Sequence, residues 1–229
     1  TASGRGSIAI GHMSQSTGKA SLAFGADSHA EADGAIATGM VSKATGSAAI
    51  AVGVGAEAQN AHATAVGLKA KATATDSVAL GVDALADKNN AVALGSGAST
   101  PTEAKQVNDA TIGTTTYSGF AGKVTNAGYQ VSVGAKDAER QIKNVAPGEI
   151  SVTSTDAING SQLYSVASGL QTKIANISAG GNGVHFYHVN GQTTDNNYNN
   201  DGATGTGAMA AGINAKAQGD KSIAVGSAT

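Results

Sequence analysis

The chain has 229 residues with 32 glycines, no cysteine, no tryptophan and only 3% aromatic residues, so large side chains cannot fill its interior. Its 14 basic and 16 acidic residues give a formal charge of −2 without a basic stripe, which argues against a nucleic-acid partner, and the lack of cysteine excludes disulfides and thiol chemistry. Because there are only two prolines and β-branched residues recur periodically, we expect a thin, regular architecture and not disorder.

A 14-residue repeat occupies the first part of the chain. A glycine closes a short apolar segment at equal intervals, at Gly11, Gly25, Gly39, Gly53, Gly67, Gly81 and Gly95, and again at Gly212 and Gly226. An alanine stands two residues before every one of these glycines. Equal spacing with a constant alanine register predicts a solenoid in which each repeat forms one coil.

Each repeat contains two alternating segments separated by turn residues, which predicts two short strands per coil. In the first strand alternation places the alanine on one face and two mostly aliphatic residues on the other, as with Ala51 between Ile50 and Val52. The second segment alternates small residues, as at Ser28 and Ala30. The predicted fold is therefore an all-β solenoid, a flattened roll of parallel strands whose interior accepts only alanine- or serine-sized groups.

The aliphatic residues form a stripe on the face opposite the alanines. On the outside of a thin roll this stripe would be an apolar patch too large for a monomer, and burying each side chain contributes ~1.5–3 kcal/mol. We therefore expect identical chains to meet along it, although periodicity alone also permits the aliphatic residues inside and alanine outside. The predicted interface or core residues in the repeats are Ile8, Ile10, Leu22, Phe24, Ile36, Ile50, Val52, Val66, Val78, Leu80, Val92 and Leu94.

The 14-residue period stops after Gly97, and the sequence that follows has a different character. Residues 99–130 lack the period and are predicted to be an insert with short strands. Residues 131–164 contain the motifs "ERQIKNVAPG", which carries the densest charge in the chain, and "STDAINGSQLY". Apolar residues then follow a heptad spacing that predicts a short coiled-coil seam, formed by Leu163, Ala167, Leu170, Ile174 and Ile177.

The "SIAIG" segments, these two motifs and the helix after them resemble the trimeric autotransporter adhesins of the YadA-like class. The resemblance implies a homotrimeric, left-handed parallel β-roll with a neck and a short trimeric coiled coil. It implies, in chain order, a head β-roll over 1–98, a head insert over 99–130, a neck over 131–164, a stalk segment over 165–178, a connector over 179–207 and the start of a second head β-roll over 208–229.

In the implied neck, a wide roll narrows to a coiled coil. The candidate neck residues are Arg140, Lys143, Asp156 and Asn159. Our hypothesis is that Arg140 and Lys143 pair with Asp137, Glu139 and Glu149 between chains as well as within them. The alternative is a solvated charged loop, since exposed ion pairs contribute little to stability.

The resemblance implies a cell-surface adhesin of a Gram-negative bacterium, located at the outer membrane, that attaches multivalently to host extracellular-matrix proteins or host cells. The alternative is an architectural spacer that holds a distal adhesive tip away from the membrane. Exposed turn residues are the natural ligand contacts, among them Lys19, Glu31, Lys43, Glu57, Lys69, Lys71 and Lys88. The family's membrane-anchor barrel and secretion signal are not found in this sequence, so we expect a fragment anchored through a domain outside it.

Two other groups of residues could bind metal ions. Asp195, Asn197, Asn199 and Asp201 have the alternating oxygen spacing of a calcium loop but lack its later glutamate, so an Asx-rich turn is the simpler interpretation. His185 and His188 could form a transition-metal pair, or lie in a polar loop. No motif indicates an enzyme, a cofactor or a required metal.

Overall fold

The structure, a computed structural model, describes residues 1–178 and 201–228, without the side chains of residues 176–178. These residues fall into two units, Thr1–Ile158 and Asn159–Thr229. The first unit is a β-solenoid of stacked coils, and the second contains a helix and a short pair of coils. The predicted all-β solenoid is therefore confirmed.

Two parallel sheets form the walls of the roll, and each of the first six coils contributes one strand to each wall. The first wall has eight strands, β1 Ile8–Ile10, β3 Leu22–Phe24, β5 Ile36–Thr38, β7 Ile50–Val52, β9 Thr64–Val66, β11 Val78–Leu80, β13 Val92–Leu94 and β16 Val131–Ser132. The second wall has six strands, β2 Gln15–Ser16, β4 His29–Ala30, β6 Lys43–Ala44, β8 Glu57–Ala58, β10 Lys71–Ala72 and β12 Leu85–Ala86.

The remaining elements lie in the insert and in the second unit. β14 Asp109–Ile112 and β15 Thr115–Ser118 form an antiparallel hairpin within the insert. The second unit contains helix α1 Gly160–Ser178 and the parallel strands β17 Met209–Ala211 and β18 Ile223–Val225. The pairing of Ala210 with Ala224 shows that the second array stacks in the same register as the first.

The sequence period of 14 is the period of the hydrogen-bonded ladder. Strand β1 pairs with β3 so that Ile8 lies beside Leu22 and Ala9 beside Ala23, and every later pair within the first seven coils keeps the same register. Like residues therefore stack on like residues along the whole roll.

The interior of the roll consists of four stacked columns of alanine and serine. The alanines of the first wall from Ala23 to Ala93 have no exposed surface. At Ser14, Ser21, Ser28, Ser42 and Ser77 the hydroxyl donates to a backbone carbonyl of its own turn, as in Ser42 to Gly39 at 2.8 Å. Because the alanines lie inside and the aliphatic residues outside, the opposite assignment is excluded.

Each coil is built from two seven-residue halves. The backbone φ is positive at every seventh residue from Gly6 to Gly97, including non-glycine residues such as Ala20 at 52° and Lys69 at 55°. A left-handed residue reverses the chain after each short strand. Aspartate, asparagine and glycine occur repeatedly at these positions because they tolerate that conformation.

The repeat glycine occupies a third turn position, where close backbone contact permits no other residue. Gly39 has a φ of 129°, and a Cβ there would lie 2.5 Å from the carbonyl oxygen of Gly53 in the next coil. The same overlap with the following coil recurs at every repeat glycine from Gly11 to Gly81. The glycine therefore sets how closely the coils stack.

The roll continues beyond the insert, which the sequence pattern did not predict. Strand β16 pairs with β13, with Val131 beside Val92 and Ser132 in the alanine position beside Ala93. The backbone N–H of Ser99 donates to the carbonyl of Gly134 at 2.9 Å. The insert is therefore a segment that leaves the roll after β13, and the chain then adds strand β16 to the first wall.

Arg140 closes the end of the column of repeat glycines. No further glycine stacks on Gly95, and the guanidinium carbon of Arg140 lies 3.4 Å from the place where a Cβ of Gly95 would stand. The guanidinium donates to the carbonyl oxygen of Val133 at 2.6 Å and to that of Ser96. Arg140 thus satisfies carbonyl groups at a terminus of the roll.

We expect Gly39→Ala to lower the free energy of unfolding by about 3 kcal/mol or more, because the new Cβ overlaps the backbone of the next coil at an unfavourable φ. Gly34→Ala is the matched control and should cost about 1 kcal/mol at most, since Ala20 and Ala48 hold the equivalent positive φ in adjacent coils. Thermal unfolding followed by circular dichroism measures both, and equal losses of stability would contradict the close-contact argument.

We expect Arg140→Ala to destabilise the roll by about 1–2 kcal/mol, because two backbone carbonyls lose a charged donor. Arg140→Lys should restore only part of this, since an ammonium lacks the two-pronged guanidinium geometry. Lys143→Ala is the control and should leave the melting temperature unchanged. Unchanged melting of Arg140→Ala would show that the end of the roll does not depend on this side chain.

Candidate interaction surfaces

The outward face of the first wall carries the aliphatic stripe. Every residue predicted for it projects from a strand of this wall, away from the buried alanines: Ile8, Ile10, Leu22, Phe24, Ile36, Ile50, Val52, Val66, Val78, Leu80, Val92 and Leu94. In the single chain these side chains are half-buried or exposed, with about half of the surface of Ile8, Ile10 and Phe24 accessible at 52%, 53% and 50%.

A second apolar column widens the stripe and was missed from the sequence. Met40, Val54, Leu68 and Val82, each directly after a repeat glycine, are all exposed. They occupy one position in four successive coils, and so lie in line beside the first wall. The sequence contains the signal for this column, because an apolar residue follows the repeat glycine in these four repeats at the same 14-residue spacing.

Helix α1 presents a second uncovered apolar surface. Leu163, Leu170 and Ile174 are exposed by 67%, 59% and 58%, and Ala167 is exposed as well. Ile177 lies in the helix, but its side chain is outside the described residues. A helix this exposed is only marginally stable in isolation.

The candidate neck residues have separate roles within the chain. Asn159 begins the helix with a capping box, because its Oδ1 accepts from the N–H groups of Ser161 at 3.2 Å and Gln162 at 3.3 Å, while its own N–H donates to Gln162 Oε1 at 3.2 Å. Asp156 accepts from the backbone N–H of Glu149 at 3.0 Å. Arg140 binds carbonyls at the end of the roll and Lys143 is exposed, so pairing between chains stays a prediction.

The second wall and its turns carry the charged candidate contacts. Lys43, Glu57 and Lys71 lie in one column, and Lys71 Nζ contacts Glu57 Oε1 at 3.1 Å. Lys88 pairs with Asp87 at 3.2 Å. Glu31 lies 3.5 Å from a ring nitrogen of His29, which also contacts Asp27 at 3.1 Å.

Two carboxylates on these surfaces titrate below their usual range. The backbone N–H of Lys19 donates to Asp33 at 2.8 Å and, with the Lys19 charge, lowers the pKa of Asp33. Partial burial raises the pKa of Glu57, but hydrogen bonds from Lys71 and Gln59 and the charges of Lys71 and Lys43 outweigh it, so its pKa is lowered overall. Both carboxylates are therefore ionised at neutral pH.

Residues 1–178 and 201–228 hold no group of three or more histidine, aspartate or glutamate side chains suited to a metal ion. The candidate calcium residues Asp195, Asn197 and Asn199, and the histidine pair His185 and His188, lie outside the described residues, while Asp201 begins the second array. In the described part of the chain no helix combines the length and apolar composition needed to cross a membrane.

Two family models match the chain, one over the repeat arrays and one over the segment that contains helix α1. The family model described as the YadA head domain repeat matches residues 2–28, 16–42, 44–70, 72–98 and 203–229, which together exceed half of the chain. The model for the coiled stalk of trimeric autotransporter adhesins matches residues 141–185. The matched ranges thus include both arrays and helix α1.

Individual proteins are also similar to the chain. The autotransporter adhesin BtaE of Brucella suis is 50% identical over 72 residues, covering 30% of this chain, which spans only 10% of that relative's length. The C-terminal YadA-like domain of a Burkholderia pseudomallei protein is 44% identical, with 52% of each chain covered and a TM-score of 0.43. The collagen-binding domain of the Yersinia adhesin YadA is 25% identical, with 73% of this chain and 70% of that chain covered and a TM-score of 0.44.

The 14-residue coils, the motifs after the insert and the heptad helix are thus accounted for together by one family. The chain belongs to the YadA-type trimeric autotransporter adhesins.

Proposed function

We propose that this chain is part of a homotrimeric surface adhesin of a Gram-negative bacterium, and that three copies meet along the aliphatic stripe and attach the cell to host extracellular matrix or host cells. The observation that carries the proposal is the stripe itself, which runs along seven coils and has no cover within the described residues of the chain. An apolar surface of this length is not maintained by a soluble monomer.

The energetics favour association of identical chains. Each aliphatic side chain removed from water contributes ~1.5–3 kcal/mol, and the stripe supplies such a residue in every coil. The exposed seam of α1 supports the same conclusion, because a short heptad helix gains its stability from partner helices. A like chain presents the complementary surface in the same register, which suits a closed symmetric oligomer.

Within the proposed rod, residues 1–98 form the head, 99–130 the head insert, 131–164 the neck and 165–178 the start of the stalk. Residues 179–207 then connect to a second head that starts at 208. In this arrangement the neck begins with β16, the last strand of the first wall. The rod projects from the outer membrane.

The proposed attachment is multivalent and needs no catalysis. With the aliphatic stripes at the trimer axis, the second wall of each chain faces outward, and any contact site on it occurs three times. Linked sites raise the overall affinity by about 10²–10⁴ without any new contact. Host matrix proteins or cell-surface molecules are the proposed partners.

We expect Ile50→Asp to dissociate or unfold the protein, because it places a charge in the centre of the buried stripe. Gln15→Asp adds the same charge on the outward face of the second wall and should leave the assembly intact. Sedimentation equilibrium should give the mass of three chains for the unmodified protein and for Gln15→Asp. A monomer at micromolar concentration, or a trimer with aspartate at position 50, would overturn the proposed interface.

We expect the trimer to bind immobilised matrix proteins such as collagen, fibronectin or laminin, or cultured epithelial cells, in a solid-phase assay. A folded but monomeric Ile50→Asp protein should bind at least about 100-fold more weakly, because avidity is lost. A trimer that binds neither matrix nor cells would contradict the adhesive role and support the spacer.

A further inference from the structure

A groove runs along the outward edge of the second wall, beside the turn that follows the repeat glycines. It encloses about 520 Å³ and extends from the coil of Asp27 to the coil of Asp83. These two residues lie four coils apart, so at ~4.8 Å per coil the groove is about 19 Å long. Its length suits an extended ligand of several units and not a single ion.

Gly55 creates the centre of the groove. Val41, Gly55 and Lys69 hold one turn position in successive coils, all with positive φ, and Gly55 alone of these leaves the position without a side chain. The Cγ of Lys69 lies 3.6 Å from where a Cβ of Gly55 would stand. The centre is thus bounded by the apolar side chain of Val41 and the stem of Lys69.

Three lysines surround this centre, and two of them have no ion-pair partner. Lys71 pairs with Glu57 at 3.1 Å, and Glu57 also accepts from the Gln59 amide at 2.8 Å. Lys43 and Lys69 form no ion pair within 4.0 Å among the described residues. The centre therefore holds a surplus of positive charge, while Asp27 and Asp83 place a carboxylate at each end.

We propose that this groove binds an oligosaccharide in which one acidic group, a carboxylate or a sulfate, is attached to neutral sugars. The acidic group lies over Gly55 between Lys43 and Lys69. The neutral sugars extend along the groove, their hydroxyls donating to Asp27 and Asp83 and their apolar faces packing on Val41 and Leu85.

The charge pattern selects for sparsely charged ligands. Lysine offers a mobile point charge that suits a carboxylate or a sulfate. Dense polyanions meet the carboxylates at both ends, and like charges there disfavour binding. Neutral oligosaccharides bring no negative charge to the positively charged centre of the groove, so they should bind more weakly.

This inference deepens the proposed adhesive function and rests on it only for its biological role. The groove lies on the wall opposite the aliphatic stripe, and each chain builds it alone. Loss of oligosaccharide binding would leave the oligomeric mass and the attachment to matrix proteins unchanged. Failure of this inference is therefore distinguishable from failure of the proposed function.

The test is a titration of the folded protein with sialyllactose, sulfated lactose and neutral lactose, followed by calorimetry or ligand-observed NMR. We expect at least one acidic trisaccharide or disaccharide to bind about tenfold or more tightly than lactose, with the two acidic probes distinguishing carboxylate from sulfate. The double variant Lys43→Gln/Lys69→Gln should lose about tenfold in affinity for that probe.

Gly55→Asp is the sharpest variant, because Asp27 and Asp83 already occupy the same turn position with a φ of 55°. It should fold normally and lose binding, since it fills the centre with a negative charge. Gly97→Asp adds the same charge at the equivalent position of a coil outside the groove and should bind like the unmodified protein.

Three results would overturn the proposal. The first is acidic probes that bind no better than lactose. The second is Gly55→Asp that binds as well as Gly97→Asp. The third is inorganic sulfate alone binding as tightly as the acidic oligosaccharides, which would reduce the groove to a simple anion site.

Discussion

Close stacking of one coil's backbone on the next is the constraint on which the rest of this protein depends. At each repeat glycine the backbone of the following coil occupies the space of a side chain, as Gly53 does over Gly39. The parallel ladder then forces every column to repeat with the same period. Because the walls lie so close together, the space between them holds small side chains, alanine and serine with Thr100 at one end of a column, and the fold has no room for large apolar side chains inside.

That thin interior accounts for the apolar surface outside. Alanine contributes little buried area, so a single roll gains little from its own core, and the aliphatic residues of the first wall and of α1 stay uncovered in one chain. In the proposed homotrimer, contacts between chains supply the missing burial. If the proposed homotrimer forms, the stability of the fold and the association of the chains thus depend on burial of the same apolar surface.

The sequence predicted the repeating coils and the heptad helix, but it did not reveal the last strand of the first wall, the contacts of Arg140 or the second apolar column. Equal glycine spacing predicts the ladder register, because in-register stacking makes sequence period and structural period identical. The eighth strand of the first wall was not predicted, because the insert interrupts the 14-residue spacing and Ser132 stands where the repeat has alanine. Arg140 reaches the carbonyl of Ser96, 44 positions earlier, and no local pattern encodes that contact. The sequence identifies the lysines of the groove as exposed. It cannot show that, among the described residues, only Lys71 of these lysines forms an ion pair, because that depends on the side-chain rotamers.

Freedom to vary is confined to one side of the roll. The interior columns accept only small residues, alanine and serine with Thr100 at one end. The turn glycine cannot be replaced, and the proposed trimer requires the first wall to stay apolar. The outward column of the second wall obeys none of these limits: its residues vary in charge and size without disturbing the backbone, from His29 through Lys43, Glu57 and Lys71 to Leu85. Binding specificity can therefore change there at little cost in stability. Under the proposed function, substitutions in this one exposed column could change the ligand without changing the proposed trimer interface.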